Sequence, residues 1–159
     1  MHYWFKLFVR SFFIISIYSF SFFFPPLLSA ENSQDTEKLM ITTSSGKHVI
    51  AVEVAKTKAE QMKGLMFRQT MPHHHGMLFI FNNEKTVSMW MKNTYIPLDM
   101  IFVSKTGLVT DIAHDTTPFS EEIINSAGPA YAVIEVNAGV AREFDVKPGS
   151  QVQHPAFIH

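Results

Sequence analysis

The sequence contains no cysteine among its 159 residues. Disulfides, thiolate metal ligands and catalysis by a thiol nucleophile are therefore excluded. Arginine is also scarce, since Arg68 and Arg142 are the only two that follow residue 30. A protein without a basic patch is not expected to bind nucleic acid.

Catalytic signatures are absent as well. The sequence has no G-x-S-x-G, no H-E-x-x-H and no glycine-rich phosphate loop. The adjacent Glu121 and Glu122 lie in a predicted polar loop, where solvated side chains are expected rather than an acid–base pair. A function therefore has to be argued from individual side chains.

The first thirty residues have the composition of an export signal. Lys6 and Arg10 form a positive amino end, and an uncharged, phenylalanine-rich run follows from Ser11 to Phe24. Two prolines and the small residues Ser29 and Ala30 then precede the polar stretch "ENSQD". This order is typical of a secretory signal peptide.

We predict a signal peptide over residues 1–30, a flexible tail over 31–38 and a single domain over 39–159. An uncleaved anchor is the alternative, but the uncharged run is shorter than the ~20 residues of a spanning helix. After cleavage, 11 Lys+Arg (13 − 2) and 14 Asp+Glu remain, a net charge of −3. We expect an exported protein, periplasmic or secreted, with no stable membrane anchor.

The apolar residues after residue 38 mostly recur with period two, which predicts β-strands. A short helix is predicted after Thr57, because Glu60 completes a capping box and Gly64 can end the helix. Seven or eight short strands with one or two short helices predict a mainly β (α+β) domain, compact, antiparallel, and barrel-like or sandwich-like. The longer predicted strands cover residues 39–43, 48–55, 76–81, 86–92, 98–104 and 130–136.

Four segments together resemble a known family. They are "GLMFR" (64–68), "GMLFIF" (76–81), "WMKNTYIPLDMIFV" (90–103) and "YAVIEVNAG" (131–139). In this order they resemble the domain of unknown function 192 family (DUF192, also UPF0127). The resemblance implies a small β-rich domain, frequently exported in bacteria, and no settled activity. The loop before "GMLF" is often acidic in that family, but here it reads "MPHHHG", so the resemblance assigns no role to these histidines.

The stretch "MWMKNTYIPLD" places charges inside an apolar segment. If its first part is a strand, Trp90 and Lys92 share one face. Asn93 then suits a turn, and Asp99 begins the next strand. The two joined strands would bring Lys92 close to Asp99, with Arg68 a candidate for the same neighbourhood.

Two interpretations of these five residues remain open. In one, an ion pair fixes the register of the strands. In the other, all five line a ligand-binding cleft. Arg68 and Lys92 meet an anionic group, Trp90 stacks together with Tyr95 on an apolar or sugar-like body, and Asn93 supplies orienting hydrogen bonds. We expect the second interpretation, an anionic or carbohydrate-like envelope ligand bound in a cleft.

Two other functions are kept as alternatives. A hydrolase-type enzyme would use Asp99 or Glu135 as its acid/base, with Lys92 stabilising negative charge. A structural envelope module would have no small-molecule site. We predict no cofactor and lean against an enzyme, and the sequence gives no indication of the oligomeric state.

Three further features have simpler explanations. Glu135 interrupts an apolar strand and is expected to face outward. The histidines at 73–75 follow Pro72 on a loop where adjacent side chains diverge, so no metal site is predicted. The methionines are expected to fill the core, with a methionine-rich copper(I) site as the alternative.

Overall fold

The structure is a computed structural model and describes residues 35–157. This part of the chain contains seven strands and two short helices. The mainly β fold class predicted from the period-two pattern is confirmed. In chain order the elements are β1 (Glu37–Thr43), β2 (Gly46–Ala55), α1 (Lys58–Lys63), β3 (His75–Met89), β4 (Leu98–Val103), β5 (Val109–Ala113), β6 (Ile124–Asn137), α2 (Val140–Glu143) and β7 (Gln151–Gln153).

The strands form one sheet in the order β5-β4-β6-β3-β2-β1-β7. All neighbours pair antiparallel except β2 and β3, which run parallel and are connected through α1. The sheet curls until its edges meet: Leu108, next to β5, bridges Gln151 of β7, and the Val152 N–H donates to the Gly107 carbonyl oxygen at 2.7 Å. The result is the predicted barrel-like shape, in which the two edges of the sheet are joined at this point.

Apolar side chains form two clusters, one on each face of β4 and β6. Ile101 and Val103 of β4 belong to the cluster that includes α2, which we call the α2-side core. Met100 and Phe102 alternate with them and belong to the other cluster, with Leu65 after α1, which we call the α1-side core. Because all residues of β4 are buried, this strand is covered on both faces.

Helix α1 begins and ends where its capping residues predict. The Thr57 Oγ1 accepts the Glu60 N–H at 3.2 Å, and the Glu60 carboxylate accepts the Thr57 N–H at 2.8 Å. The helix ends at Gly64, whose φ is +46° and where a Cβ would lie 3.1 Å from Cζ of Phe79. Gly64 therefore allows the end of α1 to approach β3 closely.

One prediction about the strands is wrong. Residues 76–81 and 86–92 were expected to form two strands, but β3 is continuous, and its pairing with β6 shifts between Ile80 and Lys85. Residues 81–84, of which Asn82, Asn83 and Glu84 are polar, form a bulge-like irregularity within this strand rather than a turn. Since β3 ends at Met89, alternation along a strand cannot place Trp90 and Lys92 on one face.

The described residues include the end of the predicted tail and none of the predicted export signal. β1 begins at Glu37, so the last two residues of the predicted tail belong to the sheet. The predicted signal peptide and residues 31–34 lie outside the described residues. Within residues 35–157, no helix has the length and apolar character needed to cross a membrane.

Candidate functional site

A pocket with a volume of about 370 Å³ lies between α1 and β3. Its wall is mostly apolar and comes from the end of α1, from β3 and from the turn after β3. Phe79 and Phe81 lie on β3, and Leu65 and Met66 follow α1. A recess that combines an apolar wall with convergent polar groups is the usual form of a small-molecule site.

Glu135 of β6 lies in the wall of this pocket, although its side chain is almost completely buried, with an exposed fraction of 4%. In the sheet it pairs with Met77 of β3 and Met100 of β4, both members of the α1-side core. No residue between 35 and 157 donates a hydrogen bond to its carboxyl group or forms an ion pair with it. The expectation that Glu135 faces outward is therefore wrong, because β6 is covered on both faces here.

Burial without a partner changes the protonation of Glu135. Removal from water disfavours the charged form and raises the pKa of the Glu135 carboxyl group to about 8. At pH 7 most molecules therefore carry a neutral carboxylic acid in the pocket wall. This group can donate a hydrogen bond to a ligand oxygen.

Three exposed lysines line the pocket: Lys58 and Lys63 from α1 and Lys85 from β3. Within the described residues none of them forms an ion pair, and the Lys85 Nζ lies 5.7 Å from the centre of the Phe81 ring. The neighbouring Glu60 is engaged in the cap of α1, where backbone hydrogen bonds from Thr57 and Lys56 lower its pKa. Glu60 thus keeps its negative charge but is not part of the pocket lining, which the three lysines make net positive.

Of the five residues predicted for the site, Trp90 lines this pocket. The Lys92 Nζ lies 5.5 Å from the centre of the Trp90 ring and 3.6 Å from Oε1 of Glu121. The half-exposed Lys92 pairs with Glu121 in the loop that follows Ser120, and the described residues contain no ion pair between Lys92 and Asp99.

Asp99 is fully buried, with an exposed fraction of 0%, and faces away from the pocket, toward the α2-side core. Its Oδ2 accepts the N–H groups of Gly139 at 2.9 Å and Ala141 at 3.0 Å, at the start of α2. Its Oδ1 accepts the Asp115 N–H at 2.9 Å. Asp99 therefore connects β4 to two distant segments, and we assign it a structural role.

Arg68 and Asn93 also lie outside the lining of the α1–β3 pocket. The Arg68 guanidinium contacts both carboxylate oxygens of Glu53 at 2.5 Å, in a smaller polar recess on the other side of Gly64. Asn93 has a φ of +54°, and its carbonyl oxygen accepts the Phe67 N–H at 2.9 Å. Asn93 therefore shapes the turn after β3.

The histidines lie at the other end of β3. The His73 Nε2 lies 3.0 Å from Oε2 of Glu143, and the His74 ring stacks on Phe144 with 5.8 Å between ring centres. Residues 35–157 contain no group of three His, Asp or Glu side chains placed to hold a metal ion. That these histidines bind no metal in solution stays a prediction.

The sequence interpretation missed the three lysines of this pocket and two of its methionines. Lys58, Lys63 and Lys85 look like ordinary surface lysines, and Met66 and Met89 were assigned to the core. Glu135 carried a usable signal: it stands in a strand that is apolar at consecutive positions, which is typical of strands buried on both faces.

The fold and the pocket define a small barrel-like β domain with an apolar recess that contains one buried acid. The sequence profile of DUF192, a family described as "Uncharacterized ACR", matches residues 40–154, so the chain belongs to this family. No curated protein matches the chain.

Two solved structures are similar to this chain. A protein from Sinorhizobium meliloti 1021, provisionally described as a transcription regulator, is 40% identical, with a TM-score of 0.74 over 77% of this chain and 95% of that one. A protein of unknown function from Novosphingobium aromaticivorans DSM 12444 is 42% identical, with a TM-score of 0.73 over 75% of this chain and 85% of that one.

Proposed function

We propose that the protein binds a small amphipathic anion in the pocket between α1 and β3. The observation that carries this proposal is Glu135, a buried carboxyl group that opens into an apolar pocket and has no partner within residues 35–157. A buried polar group without a hydrogen bond destabilises a fold. A ligand oxygen that accepts a hydrogen bond from Glu135 would offset this cost.

The charge of the pocket favours an anion. Lys58, Lys63 and Lys85 would attract the anionic group, while Phe79 and Met66 would contact the apolar body. The neutral acid form of Glu135 does not repel an anion at pH 7. The anionic ligand expected from the sequence is thus retained, but Trp90 is the one residue of the predicted set that we keep at the site.

Binding can be tested with decanoate and decanol, which share an apolar chain and differ in charge. Both would be titrated against residues 31–159 carrying a bound naphthalene-sulfonate dye, and dye fluorescence would report displacement. This part of the chain keeps every described strand and helix. We expect decanoate to displace the dye more strongly than decanol.

Lysine variants identify the site. We expect Lys58→Gln, Lys63→Gln and Lys85→Gln together to weaken decanoate binding about tenfold, a loss of roughly 1.4 kcal/mol, and to leave decanol nearly unchanged. The matched control replaces Lys38, Lys47 and Lys105, three exposed lysines that do not line the pocket. Equal losses in both triple variants, or no saturable binding, would contradict the proposal.

An enzyme that uses Glu135 as a general acid is a second candidate, favoured by the same raised pKa of about 8 in a pocket. Asp99, the other acid considered, is a poor choice because three N–H groups already occupy its oxygens and it has no exposed surface. A panel of nitrophenyl esters and glycosides would test this candidate. Turnover that is lost in Glu135→Gln, while dye binding persists, would favour the enzyme.

Export from the cytoplasm is also part of the proposal. It rests on the order of charged, apolar and small residues over 1–30. Amino-terminal sequencing of native protein should find Glu31 first, and a retained Met1 in a membrane fraction would contradict this. We do not extend transcription regulation to this chain, since two arginines and a net charge of −3 (11 − 14) after residue 30 do not suit a nucleic-acid surface.

A further inference from the structure

Exposed apolar side chains are concentrated near the pocket. Eight large hydrophobic residues of the described chain are exposed, and six of them belong to three segments, residues 62–67, 90–95 and 119–123. Apolar surface gathered in this way, rather than scattered, usually marks a contact site.

The three segments are joined by backbone hydrogen bonds. The Phe67 N–H donates to the Asn93 carbonyl oxygen at 2.9 Å, and the Phe119 N–H donates to the Thr94 carbonyl oxygen at 3.2 Å. The Tyr95 and Phe119 rings meet edge to face, with 4.8 Å between their centres. We call Phe67, Trp90, Tyr95 and Phe119 the aromatic rim, and through Trp90 it is continuous with the pocket.

Two residues of the aromatic rim have a backbone conformation that phenylalanine rarely adopts. Phe67 has a φ of +66° and Phe119 a φ of +61°, and the exposed fractions are 63% and 54%. Positive φ is unfavourable for a bulky side chain, and burial cannot offset it where the ring faces water. Such strain clusters at functional surfaces, because the surrounding structure holds the side chain in place for a contact.

Charges of both signs adjoin the aromatic rim: Glu121 pairs with Lys92 at 3.6 Å and Glu122 is exposed beside it, while the lysines on the pocket side have no acidic partner in the described residues. Lys58, Lys63 and Lys85 line the adjoining pocket without an ion pair in the described residues. In a two-fold dimer formed through this surface, these lysines would approach those of the second copy, and like charges repel. An anionic surface would instead complement them.

We propose that the aromatic rim docks the protein on an anionic phospholipid surface. Tryptophan and tyrosine favour the boundary between lipid headgroups and acyl chains, and phenylalanine adds apolar burial there. Lysines near the surface add electrostatic attraction to anionic headgroups. Docking in this orientation brings the pocket close to the lipid surface, which is a source of amphipathic anions. Vesicle binding by the aromatic rim does not depend on ligand binding in the pocket.

The test uses residues 31–159, which exclude the apolar amino-terminal run. Vesicles of phosphatidylcholine, with and without phosphatidylglycerol, would be sedimented with the wild-type chain and two variants. The first variant is Phe67→Asn with Phe119→Asn, because asparagine tolerates positive φ and should preserve the backbone. The second is Leu108→Asn, an exposed apolar residue outside the three segments.

We expect the wild type and Leu108→Asn to bind the anionic vesicles, and the double variant to bind about tenfold more weakly. Thermal unfolding should show that the double variant is no less stable than the wild type. If the double variant is less stable, Phe67→Leu with Phe119→Leu provides a second test. This variant keeps an apolar side chain at both positive-φ positions and removes the aromatic rings, so its vesicle binding should lie between that of the wild type and that of the asparagine variant.

Three results would overturn the inference. They are equal binding of the double variant and the wild type, equal binding to vesicles with and without phosphatidylglycerol, and a self-association that is lost in the double variant while vesicles are not bound. The last result would assign the aromatic rim to contact between copies. If the wild-type chain binds vesicles but not decanoate, this result would contradict the proposed pocket ligand and would still support the docking surface.

Discussion

Two buried carboxyl groups lie one register position apart in this sheet and have opposite surroundings. Asp99 of β4 pairs with Val136, and Glu135 of β6 pairs with Met100, so they face opposite sides of adjacent strands. Their exposed fractions are 0% and 4%. Asp99 accepts three backbone N–H groups, whereas Glu135 accepts none from residues 35–157.

The difference shows that hydrogen-bond partners, rather than burial, separate a structural acid from a candidate functional one. The three donors to Asp99 belong to segments that must be held against β4, so its charge stabilises the fold. The Glu135 carboxyl group stabilises nothing in the described chain and destabilises it when ionised. Residues of the second kind are the better guide to a site.

The largest expected effect is the loss of stability in Asp99→Asn. One carboxylate oxygen becomes an NH₂ group, so at least one buried N–H loses its acceptor and meets another donor. We expect the free energy of unfolding to fall by about 4 kcal/mol. Urea denaturation would measure it, with the exposed Asp115→Asn as control, where the change should stay within about 1 kcal/mol. Similar losses in both variants would remove the structural role from Asp99.

The next effect concerns the pH dependence of stability through Glu135. Its pKa is raised from 4.5 to about 8 on folding, so between these values the folded chain holds a proton that the unfolded chain has released. Stability from this group is therefore present at low pH and is lost as pH rises, by about 3 kcal/mol between pH 5 and pH 8.

Glu135→Gln isolates this contribution. The variant keeps a neutral polar side chain, and all other titrating groups cancel in the difference between wild type and variant. The free energies of unfolding, measured at four pH values from 5 to 8, should diverge in favour of the variant as pH rises. A difference that stays constant with pH would show that Glu135 finds a partner in solution.

The smallest effect should come from Lys92→Met, which contrasts with Asp99 of the same predicted segment. Lys92 is half-exposed, and its contact with Glu121 is 3.6 Å, so water can solvate Glu121 after the substitution. We expect a change below about 1 kcal/mol in urea denaturation. A loss of stability comparable to that of Asp99→Asn would mean that Lys92, like Asp99, has a structural role in "MWMKNTYIPLD".

The fold was largely predictable because its signals are local. The capping box of Thr57 and Glu60 lies within four residues, and alternating apolar residues mark β1 and β2. The bulge in β3 was not predictable from alternation, because polar residues are typical of turns as well as of bulges. Pairing with β6 determines whether these residues form a turn or a bulge.

The candidate site was less predictable, because its determinants are distant in sequence. The N–H groups that bind Asp99 come from residues 16, 40 and 42 positions away, so no local pattern indicates them. Around Glu135, Val133, Ile134 and Val136 are all buried, so alternation cannot say which way the side chain points. Trp90 was found because a large aromatic residue beside a cation is recognisable in the sequence itself.

The pairing of β1 with β7 has a consequence for the order of folding during synthesis. Met40, Ile41 and Thr42 pair with Gln153, Val152 and Gln151, more than a hundred positions along the chain. The β1–β2 hairpin can form as soon as it leaves the ribosome, but the outer edge of β1 stays unpaired until β7 has been made. An open strand edge invites pairing with another chain. From the emergence of β1 until β7 has been made, the nascent chain therefore carries such an open edge.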